Sequence, residues 1–218
     1  MPLHFLRPVR CEGDLLSALG APLIAARPLA PPAVESLCRL LLGIWFRGGR
    51  ALLAVVGPQG AEGRTRATAE LARSFAAMGE RTLLIDADLR SPAQHRLFGL
   101  PNRAGLADFL DGAPVAPVHS TRNLWLMVAG AARTDPLALL SRDRLPVMLR
   151  EAARGFRVVI VDTPAAARGP DLEIFAALAG GALVVARPER TGARALERLR
   201  RTLERCSARV VATILNRF

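Results

Sequence analysis

The chain has 218 residues, 51% hydrophobic and 22% charged, a composition typical of a folded protein of one main domain and not of a disordered chain. Its 30 basic residues outnumber the 19 acidic ones, giving a net charge of +11. All 30 are arginine, and the sequence contains neither lysine nor tyrosine, which excludes chemistry by a lysine amine and self-phosphorylation on tyrosine within these residues.

The arginines are spread over the whole chain, and their densest group lies on one predicted surface helix at 192–206. Nucleic-acid-binding proteins usually concentrate positive charge on one face. We therefore disfavour nucleic acid as the main partner, and rank an anionic membrane surface or an acidic partner segment above it.

Three cysteines, Cys11, Cys38 and Cys206, stand far apart and lack the spacing of a metal site. We interpret them as reduced thiols of a cytoplasmic protein. Residues 1–10 show no signal-peptide pattern, and the apolar run at 40–46 is far shorter than the ~18 residues that span a bilayer. We therefore expect a soluble or peripheral protein.

The proline-rich residues 1–33 are predicted to form a tail or linker, and residues 34–218 a single domain that opens with an amphipathic helix at 34–47. The predicted strands are residues 51–57, 82–86, 124–128, 158–162, 182–187 and 210–215. The predicted helices are residues 66–78, 136–154 with a break near Pro146, 170–179 and 192–206.

These strands are continuous apolar runs, which is typical of strands buried on both faces of a parallel sheet. Their alternation with helices predicts an α/β fold, an open and mostly parallel sheet with helices on both faces. Ligands of such sheets bind at the carboxyl ends of the strands, so the residues that follow each strand are the candidates for function.

The first of these strands leads into GPQGAEGRTR at 57–66 and then into a helix. A glycine-rich turn at a helix N-terminus presents backbone N–H groups to a phosphate. The segment resembles a P-loop, in which Gly63 lets the backbone approach the phosphate and Thr65 is the Mg²⁺ ligand. Pro58 replaces the first glycine and Arg64 the lysine, whose compact ammonium Arg does not fully reproduce. Taken by itself, a glycine-rich turn without a ligand is the alternative.

Acidic residues follow two other strands. Asp86 and Asp88 follow an apolar run, where they suit metal–water coordination or activation of an incoming hydroxyl, with capping of the next turn as the alternative. Asp162 follows four apolar residues, the Walker B pattern that holds Mg²⁺ directly or through water. The loop and the two acidic motifs, in this order at strand ends, predict a P-loop nucleotide-binding domain.

Further segments carry a more specific pattern: residues 82–92, 94–100, 105–112, 135–140 and 214–218. Together they resemble the bacterial tyrosine kinases (BY-kinases) of capsule and exopolysaccharide synthesis, which belong to the MinD/ParA-like P-loop ATPases. The resemblance covers residues 34–218. It is nearest to the branch paired with polysaccharide chain-length determinants, in which Arg often replaces the P-loop lysine, as Arg64 does here.

The resemblance implies ATP and Mg²⁺ as cofactors and assigns roles to the residues. The ATP phosphates would be held by Gly60, Ala61, Glu62, Gly63, Arg64, Thr65 and Arg66. The metal and its waters would be held by Thr65, Asp88 and Asp162. Asp86 would be the base or orienting group for the acceptor hydroxyl, so that the catalytic residues would be Arg64, Asp86 and Asp88.

At the other end of the nucleotide, the resemblance implies that Asn216 hydrogen-bonds the adenine edge and that Arg187 lies near the base or ribose. A turn residue without a ligand is the alternative for Asn216. In the family, an N-terminal charged segment packs on a neighbouring subunit; here its charges survive as Glu35 and Arg39. Its Trp45-Phe46 pair is predicted to form either such a contact in a homo-oligomer or part of the core.

The implied function is that of an ATP-binding, tyrosine-kinase-like protein of exopolysaccharide synthesis. It would transfer the γ-phosphoryl group in trans or regulate chain length and export. A membrane chain-length determinant would be its partner and hold it at the inner face of the plasma membrane.

Two alternatives remain. One is an ATP-sensing adaptor with weak catalysis, favoured by the missing tyrosine and lysine. The other is a MinD/ParA-type positioning ATPase that acts on membrane or DNA, whose extra early loop lysine is replaced here by Pro58-Gln59.

Overall fold

The computed structural model describes Leu19 and residues 23–24, 31–132 and 134–216. Cys11, the C-terminal residues 217–218 and most of the predicted linker lie outside the described residues. The strands are β1 (Leu23–Ile24), β2 (Leu52–Val56), β3 (Thr82–Asp86), β4 (Val118–Thr121), β5 (Leu124–Met127), β6 (Val158–Asp162), β7 (Gly181–Ala186) and β8 (Arg209–Leu215). The helices are α1 (Pro31–Ile44), α2 (Arg64–Ala77), α3 (Gln94–Leu97), α4 (Leu106–Asp111), α5 (Pro136–Leu140), α6 (Arg144–Gly155), α7 (Asp171–Ala179) and α8 (Ala193–Arg205).

The strands form one sheet in the order β1-β8-β7-β2-β6-β3-β5-β4. Every pairing is parallel except that of β4 with β5. Helices α1 and α2 cover one face, and α4 to α8 cover the other. The predicted open, mostly parallel α/β sheet with helices on both faces is confirmed.

Alternation within each strand divides the core between the two faces. In β3, Leu84 packs with α1 and α2, whereas Leu83 and Ile85 pack with the helices on the opposite face. Trp45 and Phe46 are buried, so of the two roles predicted for them the structure shows the core role. The Trp45 ring occupies the space above Gly181, where an added Cβ would lie 2.2 Å from a ring carbon.

All six predicted strands are present, and β1 and β4 are additional. Helix α1 begins at Pro31 and not at 34. Proline is tolerated in the first turn because the N–H groups of that turn have no partner within the helix, so the missing N–H of proline costs no hydrogen bond. For the same reason Pro146 lies in the first turn of α6 and does not break it. The predicted break is present at residues 141–143, between α5 and α6 and three residues before Pro146.

The segment predicted as a linker contributes a strand and a core residue in its described part. Leu23 and Ile24 pair with Thr213 and Ile214 of β8, and the side chain of Leu19 is buried. Among the described residues, no helix has both the length and the apolar character needed to cross a bilayer.

Candidate nucleotide-binding site

The sheet order brings the predicted motifs to one edge. Strands β2, β6 and β3 are adjacent and parallel, so the loop after β2 lies beside the ends of the two acidic strands. Asp86 and Asp162 are register partners at the last position of their pairing. The carboxyl ends of these strands therefore form one site beneath the N-terminus of α2.

Two glycines shape the loop at 57–63. Gly63 has φ 78°, a left-handed conformation that glycine adopts without strain, and it lies directly before the first residue of α2. At Gly57, an added Cβ would lie 2.5 Å from Glu62 Oε2 and 3.1 Å from the carbonyl oxygen of Val185. The loop thus wraps closely around its own Glu62 side chain, and α2 opens with backbone N–H groups facing the site.

Glu62 points into the loop and is only 3% exposed. Its Oε2 accepts a hydrogen bond from the Gln59 N–H (3.1 Å), and its Oε1 accepts one from the Thr191 hydroxyl (2.6 Å). Burial raises the pKa of this carboxyl to about 7, an effect opposed by those hydrogen bonds and by the charge of Arg64. Glu62 therefore ties the loop to the segment that follows β7.

Asp86 is fully buried and held by three backbone donors. Its Oδ2 accepts from the N–H groups of Ala93 (3.1 Å) and Gln94 (2.9 Å), and its Oδ1 from that of Asp88 (3.3 Å). Burial, and next the negative charge of Asp162, raises the pKa of Asp86 to about 7. In this arrangement Asp86 positions the turn after β3; its role as a base stays a prediction.

Arg64 lies between two of the predicted metal ligands. Its Nη2 is 3.8 Å from Asp88 Oδ2, its Nε is 3.5 Å from Asp162 Oδ1, and the residue is 7% exposed. Neither Arg64 Nε nor Asp162 Oδ1 has a hydrogen-bond partner. Burial raises the pKa of Asp162, and the guanidinium of Arg64 is the largest opposing cause.

Gln94 belongs to the site although no sequence motif predicted a role for it. It is fully buried, and its Nε2 donates to Asp162 Oδ2 (2.8 Å) and to the carbonyl oxygen of Thr65 (2.9 Å), while Oε1 has no hydrogen-bond partner. Gln94 thus links Asp162, at the end of β6, to the first turn of α2. The available signal was its position, eight residues after Asp86 at the start of the next helix.

A metal at this site would depend on few ligands. Within the described ranges, no group of three or more His, Cys, Asp or Glu side chains is arranged to hold a metal. Asp88, Asp162 and the Thr65 hydroxyl offer oxygen atoms, which Mg²⁺ prefers. Asp162 Oδ1 is buried without a hydrogen-bond partner, so the residues fit a cation that approaches this atom from the loop.

The remaining predicted residues divide between the interior and the surface. Asn216, at the end of β8, is 1% exposed and donates from Nδ2 to the carbonyl oxygen of Glu62 (3.0 Å). Arg187, after β7, donates from Nη1 to the carbonyl oxygen of Ala61 (3.4 Å). Both therefore contact the loop, while Gly60 and Arg66 are exposed at its surface.

Comparison with known proteins agrees with this geometry. Residues 53–218, well over half of the chain, match the model of the CobQ/CobB/MinD/ParA nucleotide binding domain. The chain is 30% identical over 159 residues to the tyrosine-protein kinase YwqD of Bacillus subtilis (strain 168), covering 71% of this chain and 67% of YwqD. The chain belongs to this nucleotide-binding family, in its tyrosine-kinase branch.

Two other comparisons describe the same branch. The chain is 25% identical over 170 residues to the putative tyrosine-protein kinase CapB of Staphylococcus aureus, covering 76% of this chain and 75% of CapB. The kinase domain of the Escherichia coli tyrosine kinase ETK superposes with a TM-score of 0.81 and 29% identity, over 86% of this chain and 75% of that domain. Other tyrosine-kinase relatives are longer, and the chain spans 24% to 28% of their length.

Proposed function

We propose that this chain binds Mg·ATP at the 57–66 loop and transfers the γ-phosphoryl group to a tyrosine of another protein. The observation that carries the proposal is the convergence of the loop, the N-terminus of α2, Arg64 and two buried carboxylates at one edge of the sheet. Membership in the tyrosine-kinase branch supports the choice of reaction.

In this proposal the chain's own residues position the phosphates. The N–H groups of the loop and of the first turn of α2 bind the phosphate oxygens, and Arg64 adds positive charge where negative charge develops. Thr65, Asp88 and Asp162 would hold Mg²⁺, which when bound neutralises charge on the phosphate oxygens. Asp86, fixed by three backbone donors, keeps the acidic turn in place.

The acceptor would lie on another protein, because these 218 residues contain no tyrosine. From the resemblance of the sequence we propose a role in exopolysaccharide synthesis, at the inner face of the plasma membrane, with a membrane chain-length determinant as partner. Turnover measured with and without the cytoplasmic segments of such a determinant tests the partner, and we expect stimulation.

Binding and turnover test the reaction. Calorimetry with Mg·ATP, phosphate release, and ³²P transfer to a glutamate–tyrosine copolymer would be measured for wild type, Asp162→Ala and Arg64→Ala. Asp143→Ala, an exposed carboxylate whose side chain makes no capping hydrogen bond, is the matched control. We expect wild type and the control to bind and turn over ATP, and Asp162→Ala to lose both; no binding by wild type would overturn the proposal.

A second function, the ATP-sensing adaptor, is supported by one observation. Both oxygens of Asp86 already accept backbone hydrogen bonds, which leaves this carboxylate poorly placed to take a proton from an acceptor hydroxyl. ATP binding that depends on Asp162, without hydrolysis or transfer, would favour the adaptor over the kinase.

A further inference from the structure

The two carboxylates that face Arg64 each have one oxygen engaged elsewhere. Asp88 Oδ1 accepts from the Ser91 N–H (2.9 Å), and Asp162 Oδ2 accepts from Gln94 Nε2 (2.8 Å). The other oxygen of each carboxylate faces the guanidinium of Arg64, at 3.8 Å and 3.5 Å. Arg64 therefore stands where the two predicted metal ligands converge.

The positive charge of Arg64 has a clear physical role there. The residues Asp86, Asp88 and Asp162 are 0%, 6% and 1% exposed, and buried carboxylates are costly unless a cation balances them. Arg64 forms ion pairs with two of the three, so it provides the charge that a bound metal would otherwise provide.

The contacts of Arg64 are also loose compared with another ion pair at the same edge of the sheet. Arg90 holds Asp171 through two hydrogen bonds, of 2.7 Å and 3.1 Å. The two N–O distances of Arg64 are longer than a hydrogen bond, and its Nε has no hydrogen-bond partner. Arg64 would therefore lose no short hydrogen bond to these two carboxylates by turning to another anion.

We propose that Arg64 is the resident cation of the Asp88–Asp162 pair and determines when the site accepts a divalent metal. Without nucleotide, the guanidinium competes with the metal for the two carboxylates. When phosphates bind at the loop, the guanidinium would turn to them, which would leave Asp88 and Asp162 free to hold the metal. The second half of this exchange rests on the proposed function, whereas the competition does not.

The competition is tested with Mn²⁺ alone, by electron paramagnetic resonance titration without nucleotide. We compare wild type, Arg64→Gln, Arg64→Gln combined with Asp162→Asn, and Arg96→Gln. The last variant removes the same charge from an exposed arginine of α3 close to the site. We expect Arg64→Gln to bind Mn²⁺ at least tenfold more tightly than wild type and Arg96→Gln, and the double variant to lose the gain. Equal affinity of folded Arg64→Gln and wild type would overturn the proposal.

Stability provides a second readout of the same competition. Because a ligand that binds only the folded chain raises its melting temperature, Mn²⁺ should stabilise Arg64→Gln more than wild type. If Arg64→Gln does not fold even with Mn²⁺, Arg64→Lys replaces it. The ammonium keeps the charge but lacks the planar fork that spans the two carboxylates. Mn²⁺ should therefore bind Arg64→Lys several-fold more tightly than wild type, and unchanged affinity would overturn the proposal.

The proposed function can fail separately. If no variant binds ATP while Arg64→Gln still gains affinity for Mn²⁺, the resident-cation role stands and the nucleotide function falls. If ATP binds but Mn²⁺ affinity is the same in wild type and in Arg64→Gln, the nucleotide function stands and the resident-cation role falls.

Discussion

The two ends of the candidate site differ in how completely their polar groups are paired. At the acidic end, formed by Arg64, Asp88, Asp162 and Gln94, three buried polar atoms have no hydrogen-bond partner: Arg64 Nε, Asp162 Oδ1 and Gln94 Oε1. At the other end, the loop is tied to the segments after β7 and β8 through Glu62, whose carboxylate and carbonyl oxygens accept hydrogen bonds from three residues.

This difference separates a region prepared for a ligand from a region that holds the loop. Buried polar atoms are normally paired, so three unpaired atoms close together favour this end as the place where a ligand binds. The end around Glu62, the paired end, has its polar groups satisfied without a ligand. Substitutions there should therefore first lower the free energy of unfolding. Substitutions at the acidic end should first change the affinities for metal and nucleotide.

The largest effect expected at the paired end comes from the charge of Glu62. Its folded pKa of about 7 lies above the ordinary 4.5, so the folded chain keeps a proton that the unfolded chain releases. The free energy of unfolding should therefore fall by about 3 kcal/mol for this group as pH rises from about 4.5 to 7. Above pH 7 it should stay at the lower value. Glu62→Gln should remove this part of the slope in urea unfolding measured from pH 4.5 to 8.

Because the pKa of Asp86 is raised as well, its titration also contributes to the slope, so wild type and Glu62→Gln are compared at each pH. Glu151→Gln, an exposed carboxylate on α6, is the control and should keep the wild-type slope. An unchanged slope in Glu62→Gln would show that the loop does not bury this carboxyl.

The close approach at Gly57 is the next largest expected effect. In Gly57→Ala the new Cβ would meet Glu62 Oε2 and the Val185 carbonyl, so the loop must shift, at a cost of about 2 kcal/mol. Gly43→Ala, whose Cβ meets nothing within 4 Å, should not destabilise. In a Glu62→Ala background, Gly57→Ala should lower thermal stability less than it does in wild type, because the Glu62 carboxylate is then absent.

Much of this architecture could be predicted from sequence, and the misses have physical reasons. The six predicted strands are continuous apolar runs, a signal that burial on both faces of a sheet enforces. Strand β4 was missed because its residues are mostly exposed, and β1 because it has only two residues. The short helices α3 and α4 were missed because they span barely one turn or two.

The site residues that the sequence predicted are those that directly end an apolar strand. Asp86 and Asp162 each end an apolar run, and the sheet order then placed them side by side. What the sequence did not predict depends on side-chain direction. Glu62 turns into space that a side chain at position 57 would fill, and Gln94 bridges two elements distant in sequence. Arg64 lies against the carboxylates that the metal was expected to contact.

At the acidic end, Gln94→Met tests whether this amide positions Asp162. The variant keeps the size of the side chain but removes the hydrogen bonds to Asp162 and Thr65. Loss of a residue that orients a metal ligand commonly lowers metal affinity about tenfold or more. We expect the Mg²⁺ concentration for half-maximal ATP binding to rise about tenfold, with metal-free ATP affinity unchanged. Glu151→Met, at an exposed position of α6, is the control, and a purely structural role of Gln94 would lower both affinities together.

The smallest expected effect is at Thr191, whose hydroxyl donates to Glu62 Oε1 and accepts from the N–H of Arg187. Thr191→Val keeps the shape but loses both hydrogen bonds, which should cost about 1 kcal/mol in urea unfolding. Thr191→Ser keeps the hydroxyl and should restore most of that loss. Because this end holds the loop and contains none of the predicted metal ligands, the Mg²⁺ dependence of ATP binding should stay as in wild type. A change in that dependence as large as that of Gln94→Met would mean that the two ends are one coupled unit, and that the hydrogen bonds of Glu62 also set the position of Arg64.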